Sequence, residues 1–151
     1  MHNLSPDCPI GMLLGITHRK MSQQLTQRLK PYDISPEQWS VLYQIYRAEG
    51  LNQKEIAAKV VKDQPTTTRI IDLLHKKGWV QRVNSPQDRR AYLLHLTEAG
   101  RRLIEKTLPV ERDVNHDFVK GISPDMLQQF RQTLLQIQYN ISESEQQGEN
   151  D

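Results

Sequence analysis

Residues 52–97 read NQKEIAAKVVKDQPTTTRIIDLLHKKGWVQRVNSPQDRRAYLLHLT. Two short helical patterns and a two-stranded pattern follow one another here with almost no slack. Asn52 is a good N-cap, and Glu55, three residues on, can reach back to the cap amide. Ile56, Ala57 and Val60 then share one apolar face. After a turn at Val61-Lys62, Asp63 is a second N-cap, and Pro65 falls in the first turn of a new helix, where a missing N–H costs little. Ile70, Ile71 and Leu74 form the buried stripe of that helix, and its opposite face holds Gln64, Thr66, Thr68, Arg69 and Lys76. Beyond Gly78 the period changes from helical to extended. Trp79 to Val83 and Ala91 to Leu96 flank a charged tip, which predicts a hairpin.

Helix, helix and hairpin in this order make a winged helix-turn-helix. The side chains on the outer face of its second helix are of the kinds that touch base edges and phosphates in DNA. Charge points the same way. The whole chain carries a net charge of only +2, whereas residues 54–102 hold eleven Lys and Arg against five Asp and Glu.

The wing carries a more specific signal. Asp88-x-Arg90, followed by Leu96-Thr97, is similar to the wing signature of the multiple antibiotic resistance regulator (MarR/SlyA) family. Upstream, Asp63 to Leu74 resembles that family's recognition helix, and Lys77-Gly78-Trp79-Val80-x-Arg82 its passage from helix to wing. Thr67 departs from the pattern, since an aliphatic residue is more usual there. The resemblance implies a mainly α fold with a small β-hairpin wing, and N- and C-terminal dimerisation helices around the winged helix-turn-helix. It also implies a homodimeric, sequence-specific transcription regulator on a pseudo-palindromic operator in double-stranded DNA, usually a repressor released by a small aromatic or anionic effector. DNA contact then falls to Gln64, Pro65, Thr66, Thr68, Arg69 and Lys76 on the helix and to Asp88, Arg89 and Arg90 on the wing, with Asp88 orienting Arg90. Effector contact is expected from His18, Arg19, Met21, Tyr32 and Trp39.

The flanking sequence predicts further helices. Ile10, Leu13, Leu14, Met21, Leu25 and Leu29 recur at helical spacing, and Pro31 ends that helix. Gly11 and Gly15 within it are placed for close helix packing. Ser35-Pro36-Glu37-Gln38 is a capped helix start, with Trp39, Leu42, Ile45 and Tyr46 as the apolar face and Gly50 at its close. Thr97-Glu98 opens another helix whose apolar positions continue past Pro109, where a kink is expected, to Gly121. Ser123-Pro124-Asp125 begins the last, with Met126, Phe130, Leu134, Ile137 and Ile141 along one side. The organisation expected is a single domain of 1–151, with dimerisation helices at 10–30 and 98–141, the winged module at 35–97 and a disordered polar tail at 142–151. A module this small cannot cover apolar stripes at both chain ends, so they call for a second copy.

Composition excludes other classes. With 151 residues, 36% hydrophobic and 25% charged, the chain is ordinary for a globular protein. The apolar run from Ile10 to Ile16 is too short to span a bilayer and lacks a basic start, so a cytoplasmic location is expected. No pair among His18, His75, His95 and His116 has metal-ligand spacing, and neither a metal nor a cofactor is expected. No nucleophile elbow, phosphate-binding glycine loop or zinc-protease motif occurs, which speaks against an enzyme. Two alternatives stay open: a winged-helix protein-interaction module, and a redox-sensing regulator acting through Cys8, the single cysteine.

Overall fold

The computed structural model describes residues 7–60, 62–86 and 91–148, with side chains as far as Glu143. The elements in chain order are α1 (Ile10–Leu29), a 3-10 turn (Lys30–Tyr32), α2 (Pro36–Arg47), β1 (Leu51–Asn52), α3 (Gln53–Val60), α4 (Gln64–Lys76), β2 (Val80–Asn84), β3 (Tyr92–Leu96), α5 (Glu98–Phe118) and α6 (Pro124–Gly148). The chain divides into two compact units, Met1–Val114 and Asn115–Asp151.

Local chemistry accounts for the helix starts. At α2 the Ser35 side chain accepts from Gln38 N at 3.2 Å while the Gln38 side chain accepts from Ser35 N at 3.4 Å, and Pro36 occupies the first turn. At α3 Glu55 N donates to Asn52 Oδ1 at 3.0 Å, and Asn52 N donates to Glu55 Oε2 at 2.8 Å. Each box satisfies two N–H groups that a helix start leaves without partners. The helix α2 ends at Arg47 rather than at Gly50, which instead takes a φ of 84° in the turn leading into β1. In α5 the helix runs unbroken through Pro109. The last helix is longer than its apolar pattern predicts, reaching Gly148 through 142–147, a run of Ser, Glu and Gln with neither Gly nor Pro to stop it. Positions 149–151 lie outside the described residues.

The sheet differs from the two-stranded expectation. It has three antiparallel strands in the order β1-β3-β2, with Leu51 opposite Leu94, Val80 opposite Leu96 and Asn84 opposite Tyr92. Two residues show no period, so β1 exists only because β3 offers a free edge to pair with.

The core of the first unit is built from Leu29, Val41, Leu42, Ile45, Ile56, Ile71, Leu74, Leu94 and Ile104, all essentially inaccessible to solvent. Each such burial is worth about 1.5–3 kcal/mol relative to exposure. Trp39 and Thr107 complete it, with the indole Nε1 donating to Thr107 Oγ1 at 2.9 Å. In the second unit α6 fully buries none of its described side chains, and Met126, Phe130, Leu135, Tyr139 and Ile141 are exposed. No helix among the described residues is long and apolar enough to cross a membrane.

Candidate nucleic-acid interface

The exposed face of α4 starts with its cap. Asp63 Oδ1 accepts from Thr66 N at 2.8 Å, and Oδ2 accepts from Thr66 Oγ1 at 2.8 Å. These two bonds, the backbone one first, hold the Asp63 carboxyl below its ordinary value, and Arg69 one turn further along lowers it again. Pro65 falls in the first turn, as predicted. On the inner face Ile70, Ile71 and Leu74 are buried. So is Thr67, whose polar group is no defect because its Oγ1 donates to Asp63 O at 3.0 Å. That back-bond lets a hydroxyl stand where an aliphatic side chain is more usual.

The outer face has a division of labour that the sequence does not reveal. Thr66 spends its hydroxyl proton on Asp63, and Thr68 donates its own to Gln64 O at 2.8 Å while accepting from Gln53 Nε2. A hydroxyl has one proton, so both threonines can only accept from a further partner. The side chains of Gln64, Arg69 and Lys76 are exposed and make no hydrogen bond or salt bridge to another described residue. These three are the donors α4 keeps available.

Beside α4 lies a hollow of about 530 Å3, walled by the start of α3, by Gln64 and Thr68 of α4, and by Arg82 and Tyr92 of the wing strands. Within it Arg82 forms a salt bridge with Asp72 of α4. Arg82 and Gln53 were not foreseen as part of this surface. The strand period held the signal for Arg82: two residues after the buried Val80, it must point to the same side as Val80 and so toward α4. Asp88, Arg89 and Arg90 lie outside the described residues.

The passage from α4 to the wing is held tightly. Gly78 takes a φ of 74°, a conformation that costs glycine least. Lys77 pairs with Asp33 at 2.9 Å and stands over the Trp79 ring at 4.7 Å. After the wing, Thr97 Oγ1 donates to Gly78 O at 2.6 Å and accepts from Gly100 N at 3.0 Å, tying the start of α5 back to the end of α4.

The residues expected to meet an effector are dispersed. His18, Arg19 and Met21 are exposed on α1. Trp39 is only 7% exposed, its ring stacked on Tyr43 with centroids 5.0 Å apart, and Tyr32 packs half-buried against the same core. A cavity of about 470 Å3 between α1, α2 and the end of α3 is lined by His18 but by none of the other four. Among the described residues no group of three His, Cys, Asp or Glu is arranged to hold a metal. Cys8 is half-buried, its thiol 3.8 Å from Pro9 O.

The sequence model of the MarR family matches residues 34–92. The multiple antibiotic resistance protein MarR of Escherichia coli (strain K12) is 31% identical over 118 residues, which cover 78% of this chain and 82% of that protein. A crystal structure of an E. coli MarR mutant complexed with operator DNA superposes with a TM-score of 0.81 at 29% identity, covering 86% of this chain and 94% of that one. The S. aureus MepR–DNA complex, at 24% identity and a TM-score of 0.83 over 89% of this chain and 99% of that one, shares the fold. The chain belongs to the MarR family of winged-helix, DNA-binding transcription regulators, which are not enzymes.

Proposed function

We propose that the chain is a homodimeric, cytoplasmic repressor that lays α4 in the major groove of a pseudo-palindromic operator and is released by a small aromatic or anionic effector. The observation that carries the reading is the split of α4, with Thr67, Ile70, Ile71 and Leu74 buried on one face and the uncommitted donors Gln64, Arg69 and Lys76 on the other. Gln and Arg can each make two parallel hydrogen bonds to a purine edge, and Lys suits a phosphate. Pro65, Thr66 and Thr68 line the same face as packing and acceptor groups. Asp88, Arg89 and Arg90 are assigned to the wing contact from sequence alone.

Exposed apolar side chains support the dimer: Ile10, Met12 and Leu13 on α1, and Met126, Phe130 and Leu135 on α6. A two-fold dimer would set its recognition helices about 34 Å apart, one helical turn of DNA. For the effector, support comes from His18 at the cavity beside α1, with Arg19 and Met21 exposed on the same helix.

The test begins with recovery of genomic fragments bound by the protein, followed by fluorescence anisotropy on the operator so defined. Gln64→Ala and Arg69→Ala should each lose about 1–3 kcal/mol of preference for operator over random DNA. Folded variants with unchanged preference would refute the assignment. Arg90→Ala should weaken binding to all sequences alike and lower the salt slope by about one contact. A monomer by sedimentation that binds operator at full strength would refute the dimer.

A further inference from the structure

Lys76 and Lys77 stand side by side at the end of α4 and do opposite things. Lys76 is exposed and uncommitted, whereas Lys77 is spent inward. Its Nζ donates to the Asp33 carbonyl oxygen, lies 2.9 Å from Asp33 Oδ2 and stands 4.7 Å from the centre of the Trp79 ring. With two acceptors and the face of an indole already around it, this ammonium has little left to offer a phosphate.

Asp33 is shaped for the other half of the contact. It takes a φ of 55°, and no other non-glycine among the described residues has a positive φ. Aspartate is one of the few side chains that enter this region readily. The corner it forms is anchored on both sides, with Leu29 and Ile34 buried and Ser35 capping α2. Lys77 therefore ties the end of α4 to the corner between α1 and α2. At the other end of α4, Lys62 precedes the cap and approaches Glu37 in the first turn of α2 only to 3.8 Å, so the far end is the more firmly held.

That tie has leverage. A helix of this length spans about 20 Å, so a tilt of about 5° pivoting on its start moves its far end by about 1.7 Å, enough to break a hydrogen bond. The root of the wing moves with it, because Gly78 N donates to His75 O at 2.9 Å and Trp79 N to Leu74 O at 3.0 Å.

We infer that Asp33 and Lys77 are positioning residues for DNA recognition: without touching DNA, they fix the angle at which α4 and the root of the wing meet it, and with that angle the preference for operator over other sequences. The inference rests on the proposed seat of α4 in the major groove. Fluorescence anisotropy on the full chain tests it, with a genomic fragment that the protein selects and a random duplex of equal length. Lys77→Met should lose about fivefold of the preference for the selected fragment, about what one hydrogen bond contributes. Its affinity for random DNA and its salt slope should match the wild type, since no phosphate contact is removed. Its urea midpoint should stay close to the wild type, because the paired side chains are 27% and 88% exposed and pairs so open add little to stability. Lys77→Arg, whose guanidinium can keep both the carboxylate and the ring, should restore the preference to within about twofold. Asp33→Gly keeps the left-handed turn and its carbonyl but not the carboxylate, so it should lose part of the preference, and the double variant should fall no lower than Lys77→Met alone. Unchanged preference in Lys77→Met, or additive losses in the double variant, would overturn the inference. So would weaker binding to all DNA with a salt slope lower by about one contact, the mark of a phosphate ligand. If Lys77→Met does not fold, full preference in Asp33→Gly overturns it. If Gln64→Ala and Arg69→Ala keep the preference, the seat of α4 in the major groove fails instead.

Discussion

Gly100, in the first turn of α5, lies so close to Trp79 that a Cβ added to it would stand 2.0 Å from the Trp79 carbonyl oxygen. That oxygen already accepts from Thr97 N at 3.0 Å, so the carbonyl cannot turn aside without loosening the wing from α5. The missing side chain is what lets α5 begin directly beneath the hairpin.

Gly100→Ala should therefore destabilise the fold. Overpacking against backbone costs about 1–3 kcal/mol, and the upper end is expected because no flexible side chain can give way. Urea denaturation should show a lower midpoint; an unchanged midpoint would mean that α5 shifts freely.

Thr107→Val should be costly although it keeps the shape. The Trp39 indole would lose its acceptor inside the core, and an unsatisfied buried donor costs about 1–3 kcal/mol. Trp39→Phe in the same background should recover part of that loss by removing the donor. Stability of the two single variants and the double variant decides the matter.

The Arg82–Asp72 pair should contribute little to stability. Its side chains are 29% and 54% exposed, and pairs so placed are worth about 0.2–1 kcal/mol in double-mutant cycles. A cycle of Arg82→Gln and Asp72→Asn should find a coupling in that range, falling as salt is raised. A coupling well above it would show that the hollow beside α4 excludes water.

The cap at Asp63 predicts a dependence on pH. Its carboxyl in the folded chain lies below the ordinary value of 3.8, held there by its bonds to Thr66. Its contribution is thus fully present above that value and lost as pH falls through the lower, folded one. Asp63→Asn keeps a capping oxygen without the titration. The stability difference between wild type and Asp63→Asn should be flat above the carboxylate range and change only in acid; a change near neutrality would rule out this origin.

Much of the first unit was legible in the residues. Ser35 with Gln38, Asn52 with Glu55 and Asp63 with Thr66 act within one helical turn, so the positions of three helix starts follow from local chemistry. The two faces of α4 follow from its period, and the alternation of the wing strands from theirs. Other features depend on groups that the chain brings together only on folding. The strand β1 is a strand because Leu94 lies opposite Leu51, Trp39 finds its acceptor 68 residues away in Thr107, and Gly100 is required by a carbonyl on another element. Packing likewise took Trp39 into the core, away from the cavity beside α1 that His18 lines. Periodicity tells that a side chain is inward; which neighbour it meets there, and whether that neighbour is a ring, a hydroxyl or a void, is settled by contacts between distant elements.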